Sequence, residues 1–93
     1  MVTALILMQV EREHINGAAQ GLADIPGISE VYSVSGHYDL AAIARVKANE
    51  DLADLVTVRM HMVPGITKTE TLIAFRTYSR HDLEGMFAVG MED

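Results

Sequence analysis

The stretch Val34-Ser35-Gly36-His37-Tyr38-Asp39-Leu40 stands near the middle of the 93-residue chain and governs how the rest is organised. It joins two apolar, β-leaning runs, Ile28–Ser35 and Tyr38–Lys47, through a glycine and a polar residue. Glycine followed by almost any residue suits a tight hairpin, because the first corner needs a positive φ that glycine adopts without a Cβ clash. Upstream lie a strand-like run and an amphipathic helix, and downstream another helix and strand. The turn is the expected pivot of the fold.

Alternation places Ile28, Tyr32 and Val34 on one face of the first arm and Ser29, Val31 and Ser33 on the other. The second arm alternates Leu40, Ala42, Ala44 and Val46 with Ala41, Ile43 and Arg45, so it is apolar on both sides for most of its length. The opening run Val2–Val10 is also apolar almost throughout, broken only by Thr3 and Gln9. Strands of this kind lie inside a sheet with both faces covered.

Between the opening run and the hairpin, Glu11–Asp24 carries Ile15, Ala18, Ala19, Leu22 and Ala23 at helical spacing, one apolar stripe. Gly17 and Gly21 each cost a helix about 1 kcal/mol relative to alanine, and their spacing would let it sit close to its sheet. Beyond the hairpin, Asn49 is positioned to cap a second helix, with Glu50 and Asp51 in its first turn. Leu52, Leu55, Val56 and Met60 or Val63 supply its apolar face, and Thr67–Thr77 reads as a last strand.

An internal repeat ties these parts together. Ile25-Pro26-Gly27-Ile28 and Val63-Pro64-Gly65-Ile66 each join a helix to a strand. The chain is thus two strand–helix–strand units in tandem, which predicts an α+β, ferredoxin-like βαββαβ sandwich. Its four-stranded antiparallel sheet has the first and third strands in the middle and both helices on one face. The two strands predicted to be central are the two that read apolar on both sides. The other sheet face is then bare, with Leu5, Leu7, Ile43, Ile73 and Phe75 as candidates to line it.

Composition points the same way. Hydrophobic residues make up 49% of the chain and mean hydropathy is +0.18, more apolar surface than a domain of this size hides easily. The surplus predicts a homodimer as the minimum unit, since a stable interface takes about 800 Å² per partner. No run approaches the roughly 20 residues of a membrane span and no signal peptide opens the chain, so a soluble, cytoplasmic protein is expected. Cysteine is absent and the formal net charge is −6, which excludes thiolate chemistry and argues against direct nucleic-acid binding. Residues 1–78 form the expected domain, and Ser79–Asp93 a tail that fits neither repeat unit.

The hairpin is the best candidate site. Its corner exposes backbone N–H groups suited to a carboxylate, and Asp39 offers an acceptor for an ammonium. Together these match the two ends of a free α-amino acid. Ser35, His37 and Asp39 carry the residue types of a hydrolytic triad, but three alternating residues across a turn do not meet its geometry. His14, His37, His61 and His81 lie too far apart in sequence to suggest a metal site, and no cofactor is expected. Met60-His61-Met62 is better explained by packing than by soft-metal binding. Thr67, Thr69 and Thr71 alternate along the last strand, as strand formers or as hydroxyls lining a pocket.

The helix–Ile-Pro-Gly-Ile–strand unit, the Ser-Gly-His-Tyr-Asp-Leu hairpin and Val-Pro-Gly-Ile-Thr-Lys-Thr-Glu-Thr together resemble the effector-binding (RAM) domain of the Lrp/AsnC, or feast/famine, regulators. The similarity covers about Val2 to Thr77. It implies a dimeric α/β-barrel-like assembly through the sheets, often closed into rings of eight or ten subunits. It also implies a small amino-acid effector held between neighbouring dimers against Gly36, His37, Tyr38 and Asp39, with Thr69 and Thr71 nearby. Full-length members begin with a helix-turn-helix domain, whereas this chain opens on a strand. The expectation is a stand-alone binding module, not an enzyme, that modulates transcription through ligand-linked assembly, alone or with a full-length regulator. The alternatives are a small dimeric α+β-barrel enzyme of monooxygenase or isomerase type, and a structural oligomer without ligand.

Overall fold

The computed structural model describes residues 1–78 and residue 80; apart from Arg80, the tail expected at Ser79–Asp93 lies outside them. Six elements follow in order: β1 (Val2–Val10), α1 (Ile15–Ala23), β2 (Ile28–Ser33), β3 (Leu40–Val46), α2 (Asn49–Asp54) and β4 (Ile66–Ile73). The sheet is four-stranded with order β2-β3-β1-β4 and all pairings antiparallel. The two strands that are apolar on both faces, β1 and β3, are the central pair, as expected. No helix among the described residues is long and apolar enough to cross a membrane.

Register sorts the side chains into rows across the sheet. Toward the helices run Ser33–Leu40–Met8–Thr69 and Val31–Ala42–Ile6–Thr71; toward the open side run Tyr32–Ala41–Leu7–Glu70 and Glu30–Ile43–Leu5–Leu72. The core fills the first side, where Ile6, Met8, Leu22, Leu40 and Leu55 are fully buried. Each stabilises the fold by about 1.5–3 kcal/mol through removal of apolar surface from water.

Several local expectations change. A bulge between Ile28 and Glu30 shifts the pairing with β3, so Ile28 and Val31 share the helix side while Tyr32 faces out, 48% exposed. Ile73 pairs with Ala4 and so belongs to the helix side; Leu72, beside Leu5, takes its place on the open face. Phe75 lies beyond β4, which ends at Ile73 rather than Thr77. The first helix starts as a 3₁₀ turn at Arg12–His14, and Ala23 is exposed. Neither glycine lets α1 approach the sheet: Gly17 meets nothing within 4 Å, and Gly21 faces Val63.

The second helix departs furthest. Ala48 holds the N-cap position and Asn49 is already helical. After α2 the backbone widens into a π turn over Leu55–Arg59 and then tightens to 3₁₀ over Met60–Met62. The π turn explains which residues point inward. Continuous α geometry would bring Arg59 under Leu55, whereas an i→i+5 turn puts Met60 there. Met60 is 2% exposed and Arg59 faces water.

The two Pro-Gly corners hold the units together reciprocally. Gly27 accepts the Arg45 N–H at 2.7 Å, at the end of β3, and Gly65 accepts the Glu11 N–H at 2.9 Å, just past β1. Both glycines have positive φ, and a Cβ on Gly65 would fall 2.3 Å from the His14 Cβ. Only glycine fits there.

Candidate functional site

Between β2 and β3 the chain makes a six-residue loop, Val34–Asp39, rather than a two-residue hairpin. Its base is closed by Val34 N–H donating to the Asp39 carbonyl at 3.0 Å. Gly36, at φ 110°, takes the left-handed corner expected of it.

Four hydrogen bonds hold this loop to the far end of the sheet. Asp39 donates its N–H to the Met8 carbonyl at 2.8 Å, and its Oδ2 accepts the Val10 N–H at 2.8 Å. The carboxylate thereby stands in for the next residue of a ladder that β3 no longer supplies. Gln9, the polar break in an apolar strand, donates from Nε2 to the His37 carbonyl at 2.9 Å. Tyr38 reaches past β1 and donates its hydroxyl proton to Glu70 Oε1 at 2.5 Å. That bond, with partial desolvation and repulsion from the Glu70 charge, raises the Tyr38 pKa above its ordinary 10.0.

What remains outward-facing defines the site. Ser35, Gly36 and His37 are exposed, and among the described residues no acceptor meets the N–H groups of Ser35–Tyr38. One oxygen of Asp39 is committed to Val10, and the other makes no hydrogen bond among the described residues. Ser35, His37 and Asp39 make no side-chain hydrogen bond with one another. Such an arrangement can receive an anion at backbone donors with a carboxylate oxygen close by, and carries no nucleophile–base pair.

The structure separates the other predicted residues from the loop. Thr69 and Thr71 stand on the helix side of β4, in the rows of Met8 and Ile6, while Glu70 between them faces the open side. Thr69 lines a cleft of about 210 Å³ with Val56, Thr57, Met60, His61 and Ile66. Thr67 falls at the irregular step opposite Gln9 and Val10, and its hydroxyl donates to the Gln9 carbonyl at 3.1 Å. His14, half-buried, and the exposed Glu11 and Glu13 cluster at the start of the first helix, with Glu11 3.1 Å from the His14 ring.

Gln9 and Glu70 are the two residues that sequence reasoning did not assign to the site. Gln9 had a signal, as one of two polar residues in an otherwise apolar strand. Glu70 had none, since its partner lies 32 positions away.

Comparison with known proteins gives a consistent picture. The model of the Lrp/AsnC ligand binding domain matches residues 3–83. The HTH-type transcriptional regulator FL11 of Pyrococcus horikoshii is 33% identical over 75 residues, covering 81% of this chain and 49% of that protein. The chain thus spans about half the length, or less, of the curated relatives it matches. The crystal structure of TTHA0845 from Thermus thermophilus superposes with a TM-score of 0.80 at 41% identity, over 86% of this chain and 100% of that one. The feast or famine regulatory protein of M. tuberculosis, solved with L-methionine, shares the fold at a TM-score of 0.73 and 23% identity. That match covers 86% of this chain and 54% of the other.

Proposed function

The chain belongs to the Lrp/AsnC ligand-binding domain family, and on that premise we propose that its loop Val34–Asp39 binds a free amino acid or a close relative as a regulatory effector. The observation that carries this is the loop itself. It is anchored from Met8, Gln9, Val10 and Glu70, yet the N–H groups of Ser35, Gly36, His37 and Tyr38 meet no acceptor among the described residues. Those donors suit the effector carboxylate, and the uncommitted oxygen of Asp39 suits its ammonium. A loop ordered in advance binds without the entropic cost of being organised by its ligand. The L-methionine in the M. tuberculosis relative supports an amino acid as the ligand class.

In this proposal two copies pair through the open sheet face, where Leu5, Leu7, Ile43 and Leu72 form a contiguous apolar centre. Dimers then meet so that the loop of one copy approaches Thr69 and Thr71 on the edge strand β4 of another, in rings of eight or ten. Binding at such a contact shifts assembly toward the ligand-preferring form. The naming of FL11 as a transcriptional regulator supports regulation of transcription as the output, with a full-length regulator as a partner.

A thermal-shift screen of the twenty amino acids, with mass measured by light scattering, tests the proposal. One or a few should raise the melting temperature, since ligand at 100 times its dissociation constant stabilises by about 2.7 kcal/mol. A flat response from all twenty, in melting and in mass, rejects it.

A further inference from the structure

We propose that Glu70 is a positioning residue for the effector loop, acting through Tyr38 to hold the loop in its binding shape from the open face of the sheet. The inference rests on the assignment of Val34–Asp39 as the effector loop, but its structural content stands on separate geometry. Three of the four anchors, Met8, Gln9 and Val10, belong to β1, the strand next to β3, and meet the loop at Asp39 and His37. Among the described residues, Tyr38–Glu70 alone ties the loop to β4, one strand further out. Anchors on two strands fix the loop against rotation about β1, which anchors on β1 alone leave open. Glu70 shares its row with Leu7 and Tyr32 on the side of the sheet away from the helices, which no other described residue covers. A second copy pressed on that face would remove water from the Tyr38–Glu70 bond and strengthen it. Loop order and pairing are therefore coupled through one side chain that need not touch the effector.

Residue-resolved amide exchange on the full chain without effector tests this. The N–H groups of Val34, Asp39 and Val10 report loop opening, since each is donated within the loop or across its base. Tyr38→Phe and Glu70→Ala should each speed exchange at these three amides by about fivefold, as loss of one hydrogen bond does. Amides of Ile6 and Ala42 in the sheet centre should stay within about twofold of wild type, because the global stability they report is not carried by this bond. Glu70→Gln, whose amide oxygen still accepts the hydroxyl proton, should restore slow exchange. Unchanged exchange at the three amides in both Tyr38→Phe and Glu70→Ala overturns the proposal, as does an equal rise at Ile6 and Ala42. Because the exchange is read without ligand, failure here is distinct from failure of the amino-acid screen.

Discussion

The Asp39 carboxylate accepts the backbone N–H of Val10 at 2.8 Å, so the residue at the end of the Val34–Asp39 loop completes the central sheet ladder. One side chain serves both stability and site geometry. Removing it strands the donor of buried Val10, so Asp39→Ala should cost about 1–2 kcal/mol. In a domain of this size that lowers the melting temperature by roughly 4–8 °C per kcal/mol. Asp39→Asn retains an acceptor oxygen and should cost less than half as much. Urea or thermal denaturation of the two variants measures the difference, and equal losses would contradict the ladder role.

Three glycines should respond differently to alanine. Gly65→Ala forces a Cβ into His14 at positive φ and should cost about 2–4 kcal/mol. Gly36→Ala has the same backbone problem but open space around it, for about 1–2 kcal/mol. Gly17→Ala, in open space on α1, should stabilise by about 0.5–1 kcal/mol. Equilibrium denaturation that failed to rank the three in this order would show that the corner at Gly65 is not as tight as described.

Deletion of Val58 should be tolerated. Val58 is exposed inside the π turn, and its removal leaves Leu55 and Met60 four apart, the ordinary α spacing. Stability should stay within about 1 kcal/mol of wild type by thermal melting, the range of a local backbone adjustment away from the core. Deletion of Leu55, which is buried, should abolish folding in the same assay.

Alkaline titration reports the Tyr38–Glu70 bond. The folded chain holds the Tyr38 proton above pH 10.0, where the unfolded chain has begun to release it. The stability this supplies is complete below pH 10.0 and is lost as pH rises through the raised folded value. Glu70→Ala, which removes the acceptor, should move that titration back toward 10.0 by tyrosinate absorbance. Tyr32, raised by its own bond to Glu30, should be unmoved and serves as the internal comparison.

Much of the fold is legible in the sequence because it rests on local pattern. Val2–Val10 and Leu40–Val46 show by composition alone that they are the central strands, and the two Pro-Gly corners announce the repeat. The misplaced features depend on distant partners. Simple alternation cannot reveal the bulge near Ser29, and helical spacing admits either Met60 or Val63 until the π turn is seen. At the site, Gly36 declares its positive φ. The loop length, however, is set by where Asp39 finds Val10 and Tyr38 finds Glu70, contacts 29 and 32 residues apart.

Whether an amino acid binds at Val34–Asp39 is read most plainly by amide chemical-shift mapping of the deuterated full chain, titrated with each of the twenty amino acids. At least one should produce saturable shifts concentrated at Ser35, Gly36, His37 and Tyr38. Saturable shifts confined to other regions, or none with any of the twenty, would rule out an amino-acid site at this loop.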